Sequence, residues 1–174
     1  MNLPRTAEPS DVSDILSLIV ELAVYEKEPD AVIATEDNLR DALFGDAPAV
    51  FALVVDGDEK HDRLAGIAVW YLTYSTWEGV HGIHLEDLYV RPTSRGHGHG
   101  TALLTRLAAM CVERDYARLE WDVLDWNEPS IGFYRSLGAE SKDGWSMFRL
   151  DGGALRDTAG KSVLGSERTI PTEP

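Results

Sequence analysis

A single cysteine, Cys111, is all that the 174 residues contain, so no intramolecular disulfide can staple the chain. That usage suits a reducing compartment, and the expected location is the cytoplasm. Long hydrophobic runs are missing too. None approaches the roughly 20 residues of a membrane-crossing helix, and Met1-Asn2-Leu3-Pro4-Arg5 lacks the apolar core of a secretory signal. No membrane partner is expected. Basic residues are scarce: 16 Lys and Arg stand against 30 Asp and Glu, for a formal charge of −14. No basic face could offset that field, which argues against nucleic acid as a partner. The acidity favours cationic small molecules, although solubility alone would account for it. Metal-ligand spacing is also lacking. His81, His84, His97 and His99 are joined by no carboxylate or thiol at a recognised interval, and loop histidines beside glycine ordinarily face solvent, so no metal is expected.

What is present fits one domain. With 44% hydrophobic residues the chain can bury one substantial core and has no room for two ordinary domains. Pro9-Ser10-Asp11 opens a helix with Val12, Ile15, Leu16, Ile19, Leu22 and Ala23 on one face, ending near Tyr25-Glu26. Thr35 caps a second helix over 36–44, stopped by Gly45. Residues 50–55 and 64–74 flank a polar turn, Asp56-Gly57-Asp58, and read as a hairpin. A loop over 77–82 leads to a strand at 83–90. The helix predicted at 101–114 buries Leu103, Leu104, Leu107, Ala108 and Cys111. A strand follows at 119–124, then a helix opened by Asn127-Glu128-Pro129-Ser130 and closed by Leu137-Gly138. Residues 145–150 are predicted as the final strand. The domain is set at 1–151, and 152–174 is expected to be a polar tail, flexible or packed on a partner subunit.

Between the strand at 83–90 and the helix at 101–114 stands Arg95-Gly96-His97-Gly98-His99-Gly100. Alternating glycines leave the backbone unobstructed, so several N–H groups can converge on an anion at a helix N-terminus. The dinucleotide fingerprint is excluded, because Thr101 occupies the place of its third glycine, and no Gly-Lys-Ser/Thr ends a Walker loop. A turn that merely lets strand and helix pack closely would read the same way. An arginine opening a G-x-G-x-G turn on a helix resembles the pyrophosphate loop of the GNAT acetyltransferase superfamily. That resemblance implies acetyl-CoA as donor and an α/β GNAT fold, a mixed and mostly antiparallel sheet with helices on both faces.

Acetyl transfer to an amine needs a held diphosphate, a base for the amine proton and a stabilised leaving thiolate. Gly96, Gly98 and Gly100 answer the first need. Glu86 and Asp87 are candidates for the second, but as neighbours on one strand they point to opposite faces unless the strand bulges. Either could equally be a solvated or ion-paired carboxylate. Tyr134 could protonate the thiolate, or simply pack between Ile131 and Leu137. Cys111 lies on an apolar helix face and reads as core rather than nucleophile. Tyr71, Tyr74, Trp121 and Trp126 are core candidates, while Trp77, in its loop, is the aromatic best placed to line a pocket.

Tyr25-Glu26, Leu85-Glu86-Asp87, Arg95-Gly96-x-Gly98-x-Gly100, Trp126-Asn127-Glu128-Pro129-Ser130, Phe133-Tyr134 and Gly138-Ala139 occur in that order. The set resembles the spermidine/spermine (diamine) acetyltransferase group, with its thialysine acetyltransferases, over about residues 4–151. The resemblance implies Tyr134 as general acid and Glu86 as the carboxylate handling the amine proton through water. It implies that Leu88, Tyr89 and Val90 pair with the pantetheine arm. Arg95, Gly96, His97, Gly98, His99, Gly100 and Thr101 match the diphosphate loop, and Asn127, Glu128, Pro129 and Ser130 a second cofactor contact. Tyr25, Glu26, Asp87, Glu120, Trp121 and Asp122 match the amine site beside Glu86, to which Trp77 is added from its loop position alone. A homodimer is implied as well. The loop before Glu86 departs from the group, running one residue longer with Gly79 and Gly82, and His97 and His99 replace residues often apolar. The expected function is direct acetyl transfer to a small cationic primary amine, a diamine or polyamine. The alternatives are a thialysine- or lysine-like acceptor, protein amines, or a non-catalytic acyl-CoA-binding module.

Overall fold

Apolar residues recurring three and four apart wind residues Val12–Tyr25 into α1, which buries Val12, Ile15, Leu18 and Ala23. The computed structural model describes residues 2–57, 63–142, 144 and 146–161. Thr35 caps α2 (Glu36–Phe44) in a reciprocal box with Asn38, the hydroxyl accepting from the Asn38 N–H at 3.2 Å. Five strands follow the β-branched and aromatic runs: β1 (Arg5–Thr6), β2 (Phe51–Asp56), β3 (Leu64–Ser75), β4 (Val80–Val90) and β5 (Leu119–Trp121). They lie side by side in chain order, antiparallel except for the parallel β4–β5 pair. The mixed, mostly antiparallel sheet of the sequence reading is therefore present. Asp58, at the predicted β2–β3 turn, lies outside the described residues.

The chain divides into two units, Met1–Asp125 and Trp126–Pro174. In the first, Ile15 and Leu18 of α1 and Leu43 of α2 form one core with Ala52, Val54, Ile67, Val69 and Tyr89. Each fully buried aliphatic side chain contributes about 1.5–3 kcal/mol of burial free energy. The alternate strand residues, among them Leu53 and Val55, turn to the other face, where α3 (His99–Glu113) buries Leu103, Leu104, Leu107, Met110 and Cys111. Ahead of α1, Asp11 is 1% exposed and chelated by Arg5 at 2.7 and 3.1 Å. Burial pushes its carboxyl up, but the Arg5 hydrogen bonds, the Glu8 N–H and the Arg63 charge together hold it below the ordinary carboxylate value. That network ties β1 and β2 to the start of α1.

The β3–β4 turn is shorter than predicted, because β4 begins at Val80, not residue 83. β5 stays close to β4 because residue 82 is glycine. A Cβ there would stand 2.9 Å from Arg118 Cγ and from Thr73 Oγ1. β5 ends at Trp121, short of the predicted residue 124.

In the second unit, α4 (Glu128–Ser136) starts at the predicted Asn-Glu-Pro-Ser, and a further helix, α5 (Gly152–Ala159), forms where no periodic element was expected. The predicted final strand is not formed over residues 146–150, and Trp145 lies outside the described residues. Alternating residues define a strand only when a neighbouring strand accepts their hydrogen bonds. Here Met147, Phe148 and Leu150 stay exposed instead.

Candidate active site

The β3–β4 register slips once: Val69 faces Asp87, whereas Trp70 faces Leu85. Glu86 is the extra residue of a β-bulge. Tyr71 lies opposite His84, so His84, and by alternation Glu86, share the face of Val69 and Tyr71. Asp87, opposite Val69, returns to that same face. Both carboxylates therefore stand on the side of the sheet that α1 covers, which strict alternation forbids and the bulge allows.

Charge accumulates there. Burial pushes the Asp87 carboxyl up to about 6, with the neighbouring charges of Glu86 and Glu26 adding to the shift. Burial also raises Glu26, the residue that ends α1. The Tyr71 phenol is raised by burial first, then by Glu86, Asp122 and Glu120. Glu120 faces His84 across the β4–β5 pair and is held by Arg118 at 3.0 Å. Glu86 itself remains 59% exposed at its side chain, with His84 Nε2 3.9 Å from one carboxylate oxygen. Five acidic side chains from α1, β4 and the β5 segment thus act on one short stretch of sheet, a field that draws cations.

Beyond Leu85, β4 loses its β5 partner, since that ladder runs only from Ile83–Leu119 to Leu85–Trp121. Residues Asp87 to Val90 keep β3 on one edge, and no other strand among the described residues pairs with the opposite edge. An extended ligand could hydrogen-bond along such an edge. Leu88, Tyr89 and Val90, the predicted pantetheine contacts, all lie on it.

The glycine loop follows directly. Gly96 and Gly98 take positive φ, 77° and 80°, and Gly98 is the N-cap of α3. Gly100 instead sits in the first helical turn. The first N–H groups of α3, from His99, Gly100 and Thr101, have no intrahelical acceptor and open towards the loop. Arg95 organises the strand end: its Nε donates to the Val90 carbonyl at 2.9 Å, and its guanidinium lies 5.3 and 5.6 Å from the Tyr25 and Tyr89 ring centres. Arg91 pairs with Glu21 at 3.0 Å, tying the same loop to α1. Burial lowers His99, with the charge of His97 adding to it, and the ring Nδ1 is buried without a hydrogen-bond partner among the described residues.

The second unit carries the remaining predicted residues. Asn127 is buried and its side chain accepts from the Ser130 N–H at 3.3 Å, so it caps α4, with Glu128 and Pro129 in the first turn. Tyr134 is half-buried on the same helix, its ring 5.4 Å from that of Phe133.

A sheet edge left open at the end of one strand, running into a glycine loop on a helix N-terminus, is suited to an enzyme taking an acyl group from a long phosphorylated thioester. The comparisons agree with that class. The model of the Acetyltransferase (GNAT) family matches residues 13–139. A thialysine N-epsilon-acetyltransferase of Bos taurus is 38% identical over 165 residues, covering 90% of this chain and 96% of that one. Spermidine/spermine N(1)-acetyltransferase-like protein 1 of Homo sapiens is 36% identical over 163 residues, 89% of this chain and 23% of that one. Among solved structures, an integron cassette protein from V. cholerae superposes with a TM-score of 0.75 at 24% identity over 92% of this chain, a likeness of fold. The chain belongs to the GNAT acetyltransferase family. It is an N-acetyltransferase with an amine acceptor, from a family whose donor is acetyl-CoA.

Some predicted residues sit elsewhere than expected. Trp77 is on the β3–β4 turn and 89% exposed, with β4 running six positions, roughly 20 Å, from Val80 to Glu86. His81, placed in the predicted 77–82 loop, is a strand residue, His84 lies on β4 within the predicted strand, and Tyr71, read as core, feels the charges of Glu86, Asp122 and Glu120. The period-two spacing of His84 and Glu86 was the available signal. Cys111 is buried and burial raises its thiol, which suits packing and not nucleophilic attack. Among the described residues, no helix is long and apolar enough to cross a membrane, and no group of three or more His, Cys, Asp or Glu is placed to hold a metal ion.

Proposed function

We propose that the enzyme transfers acetyl directly from acetyl-CoA to a primary amine of a small cationic acceptor, a diamine or polyamine. The carboxylates gathered at the Glu86 bulge are the observation that supports this acceptor class best. The open edge of β4 and the left-handed glycines before α3 fit a long chain ending in a diphosphate. In this reading Leu88, Tyr89 and Val90 hold the pantetheine arm by their backbone, Arg95 to Thr101 form the diphosphate loop, and Asn127 to Ser130 add a second contact. Bound acetyl-CoA supplies the activated thioester. Glu86 takes up the ammonium proton through water, and Tyr134 holds a proton for the leaving sulfur. Tyr25, Glu26, Asp87, Glu120, Trp121 and Asp122 surround the acceptor, and Trp77, on the β3–β4 turn, lines the outer end of its path. The reading includes a cytoplasmic homodimer, an acetyltransferase domain over 1–151 and an appended segment over 152–174.

A second reading, a thialysine-like acceptor, is favoured by the similarity to the bovine enzyme. Its carboxylate would need a cationic partner, for which Arg135 and Arg149 are the candidates.

Asp87 gives the test. A carboxyl titrating at about 6 is charged at neutral pH and neutral under mild acid. The KM for a diamine should therefore rise as pH falls below about 6, and should rise with ionic strength while the acetyl-CoA KM does not follow. Asp87→Asn should raise the diamine KM more than that of a monoamine of similar length and remove much of the pH dependence. The stability effect has the opposite sign. Because the folded value lies above the unfolded one, ionisation destabilises the folded protein at neutral pH, an effect absent below the unfolded value and complete above about 6. Asp87→Asn should thus melt at a higher temperature at pH 7. A diamine KM indifferent to pH, salt and this substitution would remove the acidic site from the account.

A further inference from the structure

We propose that His84 is a positioning residue for Glu86, turning the carboxylate towards the acceptor amine by donating a hydrogen bond from Nε2. The inference rests on the reading of Glu86 as the amine-side base. Three observations place the imidazole for this role. It shares the Glu86 face of β4, two positions away, at the point where the bulge frees Glu86 from regular pairing. Its Nε2 stands 3.9 Å from Glu86 Oε2, longer than a hydrogen bond, and the carboxylate, 59% exposed, has open space in which to turn towards it. The ring is fixed from the β3 side by stacking on Tyr71, with centres 4.9 Å apart and planes 25° from parallel. With only 17% of its side chain exposed, His84 is a well-packed ring beside an exposed carboxylate.

The surroundings keep the pair specific. Tyr71 faces His84 from β3 and Glu120 faces it from β5. Glu120 is engaged by Arg118 at 3.0 Å and by the Thr73 hydroxyl at 3.3 Å. Asp122 acts on Tyr71 from beyond β5, and Asp87 and Glu26 complete the charged groups on this face. Of these carboxylates, only Glu86 makes an ion-pair contact with the ring among the described residues. A bulge residue has no ladder to orient it, so a fixed donor is what aims its side chain.

Three variants separate positioning from packing. His84→Phe keeps an aromatic ring on Tyr71 and removes the donor; His84→Leu removes the donor in a different shape; His84→Gln keeps a donor without an imidazole. The Phe or Leu variant, whichever is folded by its melting curve, should lose about tenfold in kcat, a part of the 10²–10⁴ that a placed base supplies. The KM for acetyl-CoA should stay within about twofold. The acidic limb of kcat/KM for the amine should move to higher pH, since a carboxylate deprived of a donated hydrogen bond holds its proton more tightly. His84→Gln should recover most of the loss. Glu86→Gln is measured alongside. If it behaves as wild type, the base assignment fails and this inference with it. If Glu86→Gln is slow while the donor-less variants match wild type in kcat and pH profile, His84 only packs and the inference alone is overturned. A Gln variant as slow as Phe would overturn it too.

Discussion

Glu86→Gln is expected to lower kcat for amine acetylation by about 10²-fold and to abolish the acidic limb of the pH–rate profile, with acetyl-CoA binding unchanged. The expectation follows from what the reaction lacks near neutral pH. An alkylammonium has a pKa of roughly 10 and is almost wholly protonated, so the attacking lone pair has to be released by a group at the site. A positioned base contributes about 10²–10⁴ to such a step. Glutamine preserves the shape and hydrogen bonding at the bulge but cannot accept the proton, so the loss should appear in kcat and not in donor binding. Asp87 lies on the same face and is still able to ionise, which sets the size of the surviving rate. Tyr134→Phe probes the other end of the reaction. It should lower kcat with acetyl-CoA affinity nearly intact, because a proton donor to the leaving sulfur matters chiefly in the transition state. Steady-state kinetics across pH 5–9 checks both. Two variants that turn over like wild type throughout would remove these residues from the chemistry.

The second large effect concerns the loop. Gly98→Val should weaken acetyl-CoA binding by about 10²-fold by titration calorimetry, with the sheet and helices still folded. Gly98 caps α3 at φ 80°, a conformation that costs any L residue about 1–2 kcal/mol and a β-branched one more. The loop should relax by turning residue 98 out of the left-handed region, which moves the N–H groups that precede α3. Gly100→Val separates strain from approach, because Gly100 lies in the helix, where valine adopts the backbone angles readily. A loss at both positions points to close contact with the diphosphate; a loss at Gly98 alone points to loop conformation. Unchanged affinity in both would reduce the motif to a packing turn.

Legibility in the sequence was uneven for physical reasons. The Thr35 cap, the Gly98 turn and the Asn127 start of α4 were readable because each rests on local chemistry within four residues. The bulge at Glu86 was not. It is set by how β3 and β4 align across ten pairs, and period-two reasoning sends Glu86 and Asp87 to opposite faces. The same blind spot hid the surroundings of His84, which fell within the predicted strand but whose neighbours on β3 and β5 are set by register, while His81 was left in a loop because β4 was started three residues late. Tyr71 looked like core by composition, yet its place opposite His84 turns it towards the acidic residues. The alternation at residues 146–150 misled in the other direction, since exposed Met147 and Phe148 have the pattern of a strand without the partner that makes one.

The central claim, acetyl transfer to a small cationic amine, is tested most directly by product analysis. The purified full chain is incubated with acetyl-CoA and an equimolar mixture of diamines, a polyamine, thialysine, lysine and peptides with free amines, and the products are resolved by mass spectrometry. The account predicts a single acetyl group on a primary amine of the small cationic acceptors, with a diamine or polyamine consumed first. Acetyl found only on peptides, or on no acceptor at all, would contradict it.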